Sequence, residues 1–160
     1  MKIKTVAQAG VIAAFYVVFT GFFAPISFGA VQFRIAEILN LAAFLNPIYA
    51  YGVVLGCFIS NALFSEFGLL DVVIGTLSTA CAVFFITKTK SLLFASFMPV
   101  IFTLPVSAML AYFAGGEFAA VFLPIAVSVA AGEFVVCVLL GYPLFKLLAP
   151  RFASKLSKDV

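Results

Sequence analysis

Histidine and tryptophan are absent from this chain, and only 9% of its residues carry a charge. Without histidine there is no Ser-His-Asp or Cys-His arrangement for nucleophilic catalysis. The three cysteines, Cys57, Cys81 and Cys137, stand singly inside apolar runs. Their spacing suits neither a disulfide framework nor a zinc site, and they read as buried thiols that pack like small hydrophobes. No Gly-rich phosphate loop of the Walker A pattern occurs, so ATP binding by that route is not expected. The net charge of +3 is not gathered into a patch, which argues against nucleic acid as a partner. An enzyme built here would have to work with isolated carboxylates. The expectation is therefore a non-enzyme with no metal and no cofactor.

Apolar residues dominate instead. The hydrophobic share is 66%, against roughly half in soluble domains, and the 160 residues read as one integral membrane domain spanning 1–160. Apolar runs are interrupted at 25–32, 46–47, 65–68, 87–91 and 115–117, giving segments at 6–24, 33–46, 48–65, 69–87, 91–114 and 118–147. The first run, after Lys2 and Lys4, is laid out like a signal peptide but is long for one. It reads as a retained first helix. Asn46-Pro47 is a boundary because proline disfavours helix at the residue before it.

Charge supports the count. With six spans and both termini cytoplasmic, Lys2, Lys4, Lys88, Lys90, Lys146, Arg151, Lys155 and Lys158 all lie inside, eight of the nine basic residues. Fusing segments two and three would move Lys88, Lys90 and the basic tail outside. The expected fold is thus an all-α bundle of six transmembrane helices in a bacterial cytoplasmic membrane. Segment two, from Arg34 to Leu45, would measure roughly 18 Å as a helix, short of a full span. It is expected to be tilted or to start below the outer surface, with "APISFGAVQF" before it as a lid over a cavity open to the outside. Pro99 and Pro105 predict a kink in segment five. Small residues at helical spacing, Gly52, Gly56 and Ser60 or Gly75 and Thr79, read as packing positions. For Ala9 and Ala13 packing and partner contact stay open.

Ionisable groups inside a span are costly and point to function. Arg34, Glu37 and Asn40 are three residues apart, and Glu37, Asn40 and Phe44 share a helical face. A local ion pair explains the first two, and a pocket wall explains all three. Asn61 extends the small-residue stripe of segment three and suits either an interhelical hydrogen bond or the pocket. Asp71 opens segment four and suits either a helix cap or the pocket, with Thr76 and Thr79 extending a polar stripe inward. Glu133 lies deep in segment six with no basic residue nearby in sequence. It must be protonated, hydrated, paired with a residue such as Arg34, or reserved for a ligand. Glu66 and Glu117 read as solvated loop residues. Phe22, Phe23, Phe28, Phe33, Phe64 and Phe67 gather near the outer mouth, where a few could stack on a flat ligand.

An Ala-x-x-x-Ala first span, six short helices and a polar outer pocket with no energy source of its own resemble the substrate-binding S components of energy-coupling factor transporters. More narrowly, "VQFRIAEILN", followed by "GVVLGCFISN" and "GLLDVVIGTLST", is similar to the QueT family over nearly the whole chain. The resemblance implies a high-affinity binding subunit for a queuosine precursor, a 7-deazaguanine such as preQ1, its 7-aminomethyl form. It implies a transmembrane coupling protein and two cytoplasmic ATPases as partners, a bundle that topples to release ligand inward, and Ala9 and Ala13 meeting the coupling protein. The candidate residues suit that ligand. A carboxylate accepts the paired N–H donors of a guanine edge, and Arg34, Asn40 or Asn61 meets its carbonyl. A second carboxylate meets the aminomethyl cation. Glu133 and Glu37 are the preferred acids and Asp71 the third. The rival readings are an S component for another vitamin-like or purine-like solute, a self-sufficient proton-coupled carrier, and a small structural subunit.

Overall fold

The computed structural model describes residues 3–27 and 32–156, with side chains to residue 150. Lys2, Phe28 and Lys158, the middle of the expected lid, and the side chains of Arg151 and Lys155 lie outside the described residues. What is described is helical apart from short connectors. Helix α1 (Ile3–Phe22) is followed by a single turn, α2 (Ala24–Ser27). A 3-10 segment, Ile35–Leu41, runs into one α-helical turn, α3 (Ala42–Leu45). Then come α4 (Ile48–Phe64) and α5 (Gly68–Lys88). The pair α6 (Leu92–Ile101) and α7 (Leu104–Ala114) follows. Last are α8 (Phe118–Glu133), a π-helical stretch Phe134–Gly141, and α9 (Tyr142–Leu156).

Four of these stretches are long and apolar enough to cross a membrane: Ile3–Phe22, Gly68–Lys88, Leu92–Ala114 and Phe118–Pro150. Ile48–Phe64, at 17 residues, is shorter, and Ile35–Leu45 is shorter still. The outward faces carry Phe15, Val18, Leu55, Phe58, Leu77 and Phe84, all exposed, as expected where hydrocarbon rather than water is the solvent.

Local sequence explains the breaks. Asn46, before Pro47, is extended at φ −153° and ψ 120°, the conformation that a following proline enforces. Its Oδ1 accepts from the Ile48 N–H at 3.0 Å and so starts α4. Ser91 caps α6 by accepting from Phe94 N–H at 3.4 Å. Pro99 lies inside α6 and Pro105 in the first turn of α7, and the expected kink falls between them as a break at Phe102 and Thr103.

Segment two differs from expectation. Arg34 is not its first helical residue but the residue before it, and Ile35–Leu41 is 3-10 rather than α. Cys81 also departs from the sequence reading. It is exposed on the outer side of α5, whereas Cys57 and Cys137 are buried. A single thiol is apolar enough to face lipid as readily as core.

The tightest helix pair is α1 against α4. A Cβ added to Gly52 would stand 2.4 Å from the Ala9 carbonyl oxygen, and one on Gly56 would stand 2.6 Å from Tyr16 Cβ. Ala9 and Ala13 are buried on the same seam. In this structure they face α4, not the surroundings of the bundle. Small residues here replace hydrophobic drive, which lipid does not supply, by close backbone approach. Gly52→Ala is expected to lower the melting temperature in detergent, although alanine normally favours helix over glycine by about 1 kcal/mol. The clash is with backbone, so overpacking of about 1–3 kcal/mol prevails. A thermal scan beside Gly10→Ala, where an added Cβ meets nothing within 4 Å, checks it. The Gly10 variant is expected to be unchanged or more stable.

Candidate functional site

A 3-10 helix has 3.0 residues per turn, so residues three apart stack in line. That geometry aligns Glu37 with Asn40 and sets Arg34 at the head of the row. In an α-helix the same three would fan around the axis. All three are buried.

Glu37 is the centre of the network. The Tyr16 hydroxyl on α1 donates to its Oε1, and Asn40 Nδ2 donates to its Oε2. Thr79 on α5 donates to Oε1 at 3.4 Å, and Arg34 Nη1 lies 3.7 Å from the same oxygen. Arg34 Nη2 donates to Asn61 Oδ1 on α4 at 2.8 Å. Asn61 Nδ2 in turn reaches the Asp71 carbonyl oxygen at 3.3 Å and Cys57 Sγ at 3.5 Å. Cys57 Sγ and Thr79 Oγ1 are 3.3 Å apart. The Asp71 carboxylate accepts from the Ser65 hydroxyl, and Ser65 Oγ accepts from Phe67 N–H at 3.2 Å. One glycine keeps this possible. A Cβ on Gly75 would come within 2.6 Å of Asn61 Nδ2 and 3.1 Å of Asp71 Oδ1.

Glu133 stands at the end of α8 and is 6% exposed. Its Oε2 accepts from the Cys137 thiol at 3.4 Å, and Cys137 Sγ is also 3.5 Å from the Glu37 carbonyl oxygen. Glu133 borders the π-helical stretch and Cys137 lies within it, a rare geometry that recurs at functional positions.

Between α5, the α6–α7 break and α8 lies a cavity of about 40 Å³. Arg34, Glu37, Ser78, Thr79 and Glu133 give it polar walls, and Pro99, Phe102 and Val129 give it apolar ones. Asn40, Asn61 and Asp71 do not line it. They stand behind the wall, Asn40 on Glu37, Asn61 on Arg34, and Asp71 as the carbonyl partner of Asn61. The structure thus joins the six candidate residues in one region and divides them between wall and support. Thr76, the other threonine of the expected polar stripe, faces an outer groove between α4 and α5.

Of the mouth aromatics, Phe22 is exposed against Phe23, Phe64 packs on Gly21, and Phe67 meets Phe113. The phenylalanine on the cavity wall is Phe102. Glu66 and Glu117 are exposed. Sequence reasoning passed over Tyr16 and Ser78 and read Cys137, which is buried, for its packing alone and not for its contact with Glu133. Tyr16 was findable, because it continues the buried stripe Ala9, Ala13, Tyr16, Thr20 at helical spacing.

The fold and the cavity define a helical membrane protein with a small polar cavity buried between its helices. A family model described as QueT transporter matches residues 6–150, and the chain belongs to that family. It is also 41% identical over 80 residues to the Queuosine precursor transporter QueT of Lactococcus lactis subsp. cremoris (strain MG1363). That match takes in 49% of this chain and 46% of the relative, so it spans about half the length of each. No solved structure matches the chain.

Proposed function

We propose that the protein is the substrate-binding S component of an energy-coupling factor importer for a queuosine precursor, a 7-deazaguanine such as preQ1. Membership of the QueT transporter family supports the solute class. The observation that carries the reading is the convergence of Arg34, Glu37 and Glu133 on one cavity, braced from behind by Tyr16, Asn40 and Asn61. The ligand lies flat between Phe102 and the small residues of α5. Glu133, whose protein partner is a weak thiol donor, takes a donor-rich edge, and the Arg34–Glu37 row takes the opposite end. At about 40 Å³ the cavity is smaller than the roughly 300 Å³ of ligand pockets. The walls therefore separate on binding, and the α6–α7 break is a natural place for that movement.

The bundle crosses the bacterial cytoplasmic membrane six times, Ile35–Leu45 and Ile48–Phe64 being the two short crossings, with both termini in the cytoplasm. Energy comes from a transmembrane coupling protein and two cytoplasmic ATPases. The positive-inside pattern supports this orientation. Reporter fusions at Glu66 and Lys88 are expected to report opposite sides of the membrane, and the same side from both would break the six-crossing topology.

Purified protein alone, without ATP or a proton gradient, is expected to bind preQ1 tightly at one site in calorimetry. Failure of preQ1, guanine and common vitamins to bind would remove this reading. A second reading, a proton-coupled carrier, draws on the isolated carboxyl of Glu133. Accumulation of solute in liposomes holding this chain alone would favour it.

A further inference from the structure

Four hydroxyls in or beside these helices turn back onto the preceding turn. Ser96 donates to Leu93 O at 2.7 Å, Thr87 to Phe84 O at 2.7 Å, Thr103 to Val100 O at 2.7 Å, and Ser107 to Thr103 O at 3.0 Å. This is the ordinary solution for a mid-helix hydroxyl deprived of water. Ser78, in the middle of α5, does not adopt it. It is 8% exposed and its Oγ has no hydrogen-bond partner. Other buried hydroxyls share that condition, Thr20, Ser27, Ser60 and Thr76 among them, but Ser78 is the one of these on the cavity wall. Of the wall's three hydroxyls, Thr79 and Thr103 are engaged by protein and Ser78 is not. An unsatisfied buried hydroxyl costs about 1–3 kcal/mol, so its persistence calls for a compensating role.

We propose that Ser78 is a specificity-determining ligand contact, its hydroxyl meeting a ring heteroatom of the bound bicycle across the cavity from Glu133. This deepens the proposed function and rests on it. A hydroxyl both donates and accepts, so Ser78 meets either a ring N–H or a carbonyl. On this assignment Ser78 and Glu133 hold the ligand from α5 and α8, and the Arg34–Glu37 row, in which Glu37 already accepts from Tyr16, Asn40 and Thr79, meets its remaining end.

The test compares wild type, Ser78→Ala, Ser78→Cys and Ser60→Ala in detergent, by calorimetric titration with preQ1 and by thermal unfolding without ligand. Ser78→Ala is expected to bind preQ1 about tenfold more weakly, the effect of one hydrogen bond. Its ligand-free melting temperature should be equal to or above that of wild type, since an unsatisfied polar atom has been removed. Ser78→Cys keeps the volume and weakens the bond. It should lose affinity as well, and it supplies the readout if the alanine variant does not fold. Ser60→Ala, a like change away from the cavity, should bind as wild type does. Wild-type affinity in both Ser78 variants would overturn the assignment and leave the proposed function intact. If wild type binds no 7-deazaguanine, the substrate reading falls. The comparison is then repeated with whichever of adenine, hypoxanthine, thiamine, riboflavin or biotin does bind. Weakening by Ser78→Ala upholds the contact, and no weakening, or no binding by any of them, overturns it.

Discussion

Glu133→Gln is expected to reduce preQ1 affinity by about a hundredfold while leaving the yield of folded protein near that of wild type. The carboxylate is buried, yet its protein partner is the Cys137 thiol at 3.4 Å, a weak donor. Little folding energy depends on its charge. In the complex it accepts from ligand N–H groups out of contact with water, where a charged hydrogen bond contributes about 1.5–3 kcal/mol. The upper end of that range corresponds to about a hundredfold. Calorimetric titration of the purified variant, with membrane yield measured in parallel, separates the two quantities. A glutamine variant that binds as wild type does would remove Glu133 from the ligand shell. One that fails to accumulate would make it a folding residue.

The second large effect runs the other way. Arg34→Ala is expected to deplete the protein from the membrane before any question of binding arises. Arg34 ties the 3-10 segment to α4, reaching Asn61 on α4 at 2.8 Å and Glu37 at 3.7 Å. Its removal leaves the Glu37 carboxylate buried without this cation and Asn61 without its donor. Breaking a buried pair from one side costs about 3–5 kcal/mol, a large part of the total stability of an ordinary domain. The double change Arg34→Met with Glu37→Gln removes both charges together and is expected to recover folded protein without recovering binding. Yield by immunoblot and monodispersity by size exclusion read the result. Normal accumulation of the single variant would show that the pair is not structural.

Proline and charge were the legible parts of this sequence. Pro47 and Pro105 act through fixed backbone geometry that needs no tertiary knowledge, so the breaks at Asn46 and near Phe102 stood in the sequence before the fold was known. Glu133 was conspicuous because a carboxylate in an apolar run has few innocent explanations. The spacing of Arg34, Glu37 and Asn40 was visible, but its meaning was not. A period of three over six residue steps fits a little under two turns of α-helix or two turns of 3-10, and propensity does not separate them. Tyr16 escaped because its role depends on what lies across the bundle, although the buried stripe that holds it was readable. The π-helical stretch, FVVCVLLG, is uniformly apolar and carries no marker of its altered winding. Ala9 and Ala13 show the limit of motif reading. The same spacing serves an internal seam or an external one, and here the facing glycines of α4 occupy that seam.

The apolar rod from Phe118 to Pro150 has 33 residues, about 50 Å of helix. The oily slab around it is about 30 Å deep. Some 20 Å must either lean over steeply or jut clear of the lipid, and Lys146, poised over the Tyr142 ring at 5.7 Å, suits the point of emergence. Glu133 lies about 20 Å along the same rod from Lys146. The carboxyl is thereby submerged, far below the level at which the ammonium group meets water.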